Sequence, residues 1–341
     1  LMRIDVMDDK NILLTVAIPT YNRAEFLKRS LGSVLPQLEA GVEILISDNA
    51  STDGTEMFVK SFLSQYPMLR YLRNESNIGP DGNFLQCYRK ANGKFVLLLG
   101  DDDVIVDGAI KRILNYIQSH SVETDLVFLN HVFFDKKYTG LENCSKPFWN
   151  GQKDLVLSDK KELIQIAKHQ ITYMSAFVLQ KNAFLRVENP EKYMGTSFIH
   201  SCIAFEATKG ADSRFGAIAF PCVAQNSSYE DSGFASHPER MFQVFGQNEE
   251  FVYCELAPSF GYDKEQMGEV YSNFILSSWP RTILSLKAQN NKNWKEMYMK
   301  YGRPALMKHP ALYRRIRPYA LFPAWAARLI RNAKRKIQHK P

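Results

Sequence analysis

Over the first hundred residues, apolar runs alternate with polar loops and amphipathic helices, and this alternation restricts the chain to an α/β sheet with parallel strands. Residues 13–23, Leu-Leu-Thr-Val-Ala-Ile-Pro-Thr-Tyr-Asn-Arg, read as a buried strand that Pro19 stops by breaking the hydrogen-bond ladder. Residues 24–38 place Leu27, Leu31, Val34, Leu35 and Leu38 at helical spacing. A second unit follows, with a strand over 42–47, a polar loop over 48–54 and a helix over 55–63 capped by Thr52 or Asp53. A short strand over 70–74, a helix over 81–91 and a strand over 94–99 complete the pattern. Short connections of this kind put helices on both faces of the sheet and ligands beyond the carboxyl ends of its strands.

Three polar clusters fall at those ends: residues 20–23, 48–53 and 101–103. In the last, the apolar run Leu97-Leu-Leu-Gly100 delivers Asp101, Asp102 and Asp103 together. Three adjacent carboxylates repel one another unless a cation, hydrogen-bond donors or open water faces them. Oxygen ligands suit a hard ion, Mn²⁺ or Mg²⁺, whose other positions phosphate oxygens and water fill. The competing reading is a solvated acidic turn that caps a helix starting near Asp107. Neither Gly-x-Gly-x-x-Gly after the first strand nor Gly-x-x-x-x-Gly-Lys-Ser/Thr occurs, which weighs against dinucleotide dehydrogenases and P-loop enzymes.

Val16-Ala-Ile-Pro-Thr-Tyr-Asn-Arg23, Ile46-Ser-Asp-Asn-Ala-Ser-Thr-Asp-Gly-Thr55, Asn74-Glu-Ser-Asn-Ile-Gly79 and Leu99-Gly-Asp-Asp-Asp103, in this order, resemble the family 2 glycosyltransferases of the GT-A fold. The resemblance covers about the first third of the chain. It implies an α/β fold with a Rossmann-like mixed sheet flanked by helices, followed here by a C-terminal helical, basic extension. It also implies inverting transfer of a sugar from a nucleoside diphosphate donor to a saccharide hydroxyl. By that resemblance Pro19, Thr20, Tyr21, Asn22 and Arg23 border the donor nucleotide, and Asp48 holds the edge of its base. A carboxylate there accepts from uracil, thymine or cytosine alike, so the base stays open. Asn77, Gly79 and Asn83 fall in the donor pocket, Asp101 towards ribose or metal, and Asp102 or Asp103 on the metal–diphosphate.

Transfer to a hydroxyl also needs a general base. The family's acidic pair aligns near Phe198 and Ile199, ahead of the Lys209-Gly210 helix stop, and no acid stands there. His200, adjacent to the gap, and Asp231, in the literal pair Glu230-Asp231, are the two candidates.

The 341 residues, 45% hydrophobic and 23% charged, have the composition of a globular chain with ample core. The reading divides them into a catalytic domain over 1–225 (donor half about 11–120, acceptor half about 121–225), a helical extension over 226–302 near the acceptor site, and a basic amphipathic tail over 303–341. The tail holds eleven Lys or Arg and no Asp or Glu, leaving 32 basic and 36 acidic residues elsewhere, so it alone makes the chain basic. Its mixture of aromatic, aliphatic and basic residues fits an anionic membrane surface, and it is too short and interrupted to span one. Such a tail suits a lipid-linked acceptor in O-antigen or capsule assembly; nothing in it is a nucleic-acid motif. Five widely spaced cysteines give neither a disulfide framework nor a zinc site. No apolar secretory core opens the chain, and the expected place is the cytoplasm, at the inner face of the membrane. Two other classes remain: a silent nucleotide-sugar-binding relative acting at the membrane, motivated by the missing acidic pair, and a sugar-nucleotide nucleotidyltransferase, which would need a Gly-rich, Arg-bearing loop after the first strand.

Overall fold

In the computed structural model, which describes residues 12–120, 124–135, 137–228 and 237–329, strand β1 (Leu14–Thr20) is buried along its whole length. It runs past Pro19, contrary to the expected stop. Ala17 and Pro19 face the same neighbour, β4 (Phe95–Leu98), and pairing with β4 ends at Ala17, so no ladder partner is lost where proline lacks its N–H.

β1 lies between β4 and β2 (Val42–Asp48), and β2 carries β3 (Leu69–Arg73) outside it, all four parallel. The remaining strands are β5 (Val104–Ile105), β6 (Leu126–Phe134), β7 (Leu155–Leu157), β8 (Phe177–Gln180) and β9 (Phe215–Asn226). The sheet order is β3-β2-β1-β4-β8-β6-β9-β5, with β7 on β9; β8 runs antiparallel to both β4 and β6. The sheet is therefore mixed, a parallel half joined through β8 to a second half.

Helices α1 (Ala24–Val34), α2 (Thr55–Leu63), α3 (Gly79–Lys90) and α4 (Ala109–Ser119) connect the first strands. α5 (Lys160–Ala167), α6 (Lys181–Leu185) and α7 (Ile199–Ala207) belong to the second half. Leu27, Leu31 and Val34 of α1 are fully buried, as their spacing requires. Asp53 ties two helix starts together: Oδ1 accepts from the Thr55 amide at 3.0 Å and Oδ2 from the Ala24 amide at 3.0 Å. One carboxylate thus satisfies orphan donors of both α1 and α2.

The described residues form two compact units, 12–228 with 260–262, and 237–259 with 263–329. The second unit is helical. Trp279, on the helix Lys264–Ala288, is fully buried, and a Cβ on Gly246 would lie 2.9 Å from its ring, so glycine lets the neighbouring turn approach the indole. The helix Pro310–Leu321 buries Leu312 and Ile316, and Lys287 Nζ donates to the Ala320 and Phe322 carbonyls at 2.6 Å each. A cation on the last carbonyls of a helix is stabilising. The expected boundary at 303 is therefore not a break in the packing. Residues 303–329 share a core with the preceding helices, because Leu312 and Ile316 repeat at i, i+4. No helix among the described residues is long and apolar enough to cross a membrane.

Candidate active site

Parallel pairing sets the site. Thr20, the last residue of β1, lies opposite Asp48, the last of β2, and the Asn49 amide donates to the Thr20 carbonyl at 2.9 Å. β4 stops beside β1 and leads into Gly100–Asp103, so the polar ends of three strands meet. The loops are stitched together: the Asn22 amide donates to Ser51 Oγ at 2.9 Å, and Asn22 Oδ1 accepts from the Thr52 amide at 2.7 Å. Asn22 and Ala50 both adopt left-handed backbone, φ 54° and 63°. Alanine there costs about 1–2 kcal/mol, strain of the sort that gathers at functional sites.

The three carboxylates have three environments. Asp101, 8% exposed, accepts from Thr20 Oγ1 at 2.8 Å and from Arg23 Nε at 2.9 Å. Asp102 is half-buried, and its Oδ2 lies 2.6 Å from Arg23 Nη2. One guanidinium thus bridges two carboxylates, and it lies over the Phe26 ring with 4.2 Å from Cζ to the ring centre. Asp103, expected among the metal ligands, is turned inward. Its Oδ2 accepts from Tyr173 OH at 2.7 Å and Ser175 Oγ at 2.6 Å, its Oδ1 from the Asn226 amide at 3.1 Å, and only 3% of it is exposed. Ser175 Oγ also accepts from the Gly100 amide at 2.9 Å, so Asp103 anchors the turn that presents the other two.

Burial raises the Asp101 pKa to about 6, against the opposing charge of Arg23. Burial and the nearby Asp102 raise Asp103 to about 7, against the hydroxyls that bond it. Both folded values stand above the ordinary carboxylate value of about 4, so between about pH 4 and pH 7 these two groups hold more protons in the folded state than in the unfolded one, opposite in sign to the buried His131 and His200, whose pKa values burial lowers to about 4. The contribution of these two carboxylates to the stability of the metal-free protein is therefore expected to fall as pH rises through that window. A bound divalent cation, favouring the charged forms, flattens the fall. Melting temperatures from pH 4.5 to 8, in EDTA and in Mn²⁺, check this: the stabilisation by Mn²⁺ is expected to grow with pH across the window, and a stabilisation that does not change with pH contradicts it.

Asp48 is fully buried. Its Oδ1 accepts from the Ser51 amide at 2.8 Å, and its Oδ2 accepts from Tyr71 OH at 2.5 Å and lies 3.8 Å from Arg73 Nε. Burial, followed by the bond to Asp48, pushes the Tyr71 phenol well above its usual range. The neighbouring turn is built on Asn49, whose side chain bonds the Ile78 amide, the Gly79 carbonyl and Asn77 Oδ1. Gly79, at φ 77°, needs the freedom of glycine. Asn83 has a structural environment: it accepts from Ser47 Oγ at 2.7 Å and donates to the Ser47 carbonyl at 2.9 Å beneath the crevice. Tyr21 is exposed, Pro19 buried in the strand.

Of the two proposed bases, Asp231 lies outside the described residues. His200 is not the free imidazole expected. Its Nε2 lies 2.9 Å from the Thr172 carbonyl, which fixes the proton there, its ring packs edge-on to Phe84, and burial lowers its pKa to about 4. Sequence reasoning missed Tyr71, Arg73, Tyr173 and Ser175. Tyr71 and Arg73 were within reach, because β3 pairs Ile46 with Tyr71 and Asp48 with Arg73, putting both side chains on the face of Asp48. No local pattern around Tyr173 and Ser175 announces a partner seventy residues away.

Residues 15–178 match the family model described as glycosyl transferase family 2. Over those residues the chain carries a family 2 glycosyltransferase domain, in the GT-A fold. It is 28% identical over 316 residues to the abequosyltransferase RfbV of Salmonella typhimurium, covering 85% of this chain and 90% of that one. It is 32% identical over 167 residues to the GalNAc(5)-diNAcBac-PP-undecaprenol beta-1,3-glucosyltransferase of Campylobacter jejuni, covering 48% of this chain and 51% of that one. In fold it resembles S. aureus TarS 1–349 in complex with UDP-GlcNAc, with TM-score 0.60, 14% identity, and 95% and 92% of the two chains covered. It also resembles the mannosyltransferase PcManGT of Pyrobaculum calidifontis in complex with GDP-Man and Mn²⁺, with TM-score 0.53, 15% identity, and 95% and 90% covered.

Proposed function

We propose that this protein transfers a sugar, with inversion and with the help of Mn²⁺ or Mg²⁺, from a nucleoside diphosphate to a hydroxyl of a lipid-linked saccharide during assembly of a surface polysaccharide. The observation that carries the reading is the meeting of Asp101 and Asp102 with Thr20, Arg23 and the buried Asp48 at the carboxyl ends of three parallel strands. The names of RfbV and of the Campylobacter enzyme, the latter including a PP-undecaprenol-linked saccharide, support the substrate class.

The Asp101–Asp102 pair already accommodates one cation, the Arg23 guanidinium, and its oxygens suit a hard divalent ion. Asp102, the more exposed of the two, is the residue to hold it, with Asp101 beside the ribose. A divalent ion there supplies positive charge to the diphosphate that departs. Thr20 and Arg23 fix Asp101 against β1, and Asp48, braced by Tyr71 and Ser51, presents a rigid acceptor to the base edge. The acceptor oxygen then bonds to the anomeric carbon from the face opposite the leaving diphosphate, giving inversion.

Incubation with a panel of UDP-, GDP-, CDP- and dTDP-sugars, followed by assay of nucleoside diphosphate release, tests this. One donor class is expected to be consumed, with release lowered about 10²-fold by EDTA and restored by Mn²⁺. No release from any donor, with or without metal, rejects the reading.

Membrane attachment belongs to the same proposal. Leu321, Trp325 and Leu329 are more than 60% exposed and recur every four residues, and Arg314, Arg315, Arg317 and Arg328 are exposed nearby. Apolar anchors among basic residues suit an anionic bilayer surface, where each cation contributes about 1 kcal/mol. Residues 330–341 of the basic tail lie outside the described residues. Cosedimentation with phosphatidylglycerol vesicles is expected, with at least about tenfold weaker binding for Leu321→Glu/Trp325→Glu/Leu329→Glu. Equal binding of the triple variant rejects the attachment.

A further inference from the structure

We propose that Asp81 is the general base of the transfer, and that its carboxylate supplies in space the acid that the sequence lacks at the start of α7. This rests on the glycosyl-transfer reading above. Asp81 lies in the first turn of α3, two residues after Gly79, whose carbonyl accepts from the Asn49 side chain just past the end of β2. Its Oδ2 accepts from the Gly195 amide at 2.8 Å and from the Ser197 amide at 3.1 Å, immediately ahead of Ile199, where α7 begins. That is the place, near Phe198 and Ile199, where the acidic pair is missing.

The loop is wound around this carboxylate. Gly195 and Ser197 both adopt left-handed backbone, φ 85° and 64°, which turns successive amides to one side as an anion-holding nest. For serine that conformation costs about 1–2 kcal/mol. Both bonds fall on one oxygen of the carboxylate, Oδ2. Oδ1 is buried and has no hydrogen-bond partner among the described residues, although Asp81 is only 5% exposed. Two further buried atoms in the first turn of α7, His200 Nδ1 and Ser201 Oγ, are unpartnered in the same way. An orphaned acceptor in a native protein calls for an explanation, and a hydroxyl-bearing acceptor sugar supplies the donors.

Burial raises the Asp81 pKa, against the Ser197, Gly195 and Ile199 amides, which makes it a stronger base than an ordinary aspartate. His200 has its Nε2 committed to the Thr172 carbonyl, and burial lowers its pKa to about 4. In the step, the acceptor hydroxyl proton passes to Asp81 Oδ1 as its oxygen bonds to the anomeric carbon. The bond from that carbon to the diphosphate oxygen breaks, and its electron pair leaves with the nucleoside diphosphate. The proton is later lost to water.

Asp81→Asn tests the assignment, because the amide oxygen still accepts from Gly195 and Ser197 but takes no proton. With water as acceptor and the donor that the wild type hydrolyses fastest, the variant's kcat is expected to fall about 10²–10⁴-fold, with donor KM and nucleoside diphosphate affinity unchanged. Azide needs no deprotonation, so its addition is expected to restore nucleoside diphosphate release together with a glycosyl azide. Should Asp81→Asn melt early, Asp81→Ala with azide at low temperature makes the same discrimination. Rescue supports the base; a variant that binds nucleotide without rescue overturns it. A folded Asp81→Asn hydrolysing within about fivefold of wild type also overturns it and leaves glycosyl transfer standing. A wild type that consumes no donor removes both readings.

Discussion

Asp102→Asn is expected to lower sugar transfer about 10²–10³-fold while the melting temperature stays near that of the wild type. Asp102 is half-buried and its described side-chain partner is Arg23, so an isosteric amide leaves the packing intact. The loss comes from the negative charge that holds a divalent ion against the diphosphate, an interaction that matters most as the leaving group gains charge. Asp103→Asn provides the contrast. Asp103 accepts from Tyr173, Ser175 and the Asn226 amide, and an amide cannot accept from all three with the same geometry. Its effect is therefore expected in stability, with metal affinity less altered. Thermal melting and initial rates of both variants check the pair; equal turnover in Asp102→Asn and wild type contradicts the metal role.

The second large effect is expected at Asp48. Asp48→Ala strands the Tyr71 hydroxyl and the Ser51 amide beside a fully buried position and removes one of the partners of Arg73, which keeps Glu56 and the Ser51 carbonyl, at a cost of about 3 kcal/mol. For a domain of this size that corresponds to a fall in melting temperature of about 6–12 °C. Asp48→Asn keeps an acceptor for one of these donors, so its loss appears mainly in nucleotide affinity, about 10–100-fold, the value of a hydrogen bond to a charged group. Calorimetric titration with UDP, GDP, CDP and dTDP measures it and also identifies the base. Unchanged affinity for all four removes Asp48 from the nucleotide site.

The donor half was legible in the sequence because its information is local. Apolar runs at strand length, helical spacing at Leu27, Leu31 and Val34, and polar residues at strand ends are read within a dozen positions, and parallel pairing then brings Thr20, Asp48 and Asp101 together. β5, β7 and β8 were invisible for the opposite reason. Two to four residues long, they carry too little periodicity to separate from loop, and they are held by partners far away in the chain, such as Val223 for β5 and Val96 for β8. The same distinction divides the site residues. Asp102 announces itself by its neighbours Asp101 and Asp103. The inward turn of Asp103 depends on Tyr173, Ser175 and Asn226, and the environment of Asp81 on Gly195 and Ser197, over a hundred residues away. Pro19 misled because a proline reads as a strand end in one dimension, whereas its missing donor faces a side on which pairing has already stopped.

Electron paramagnetic resonance of free Mn²⁺, titrated into the protein with and without nucleoside diphosphate, bears most directly on the Asp101–Asp102 cation site. The account predicts uptake of about one Mn²⁺ per chain, tightened by the correct nucleotide and abolished in Asp102→Asn. Uptake that ignores every nucleotide, or that persists unchanged in Asp102→Asn, would contradict it.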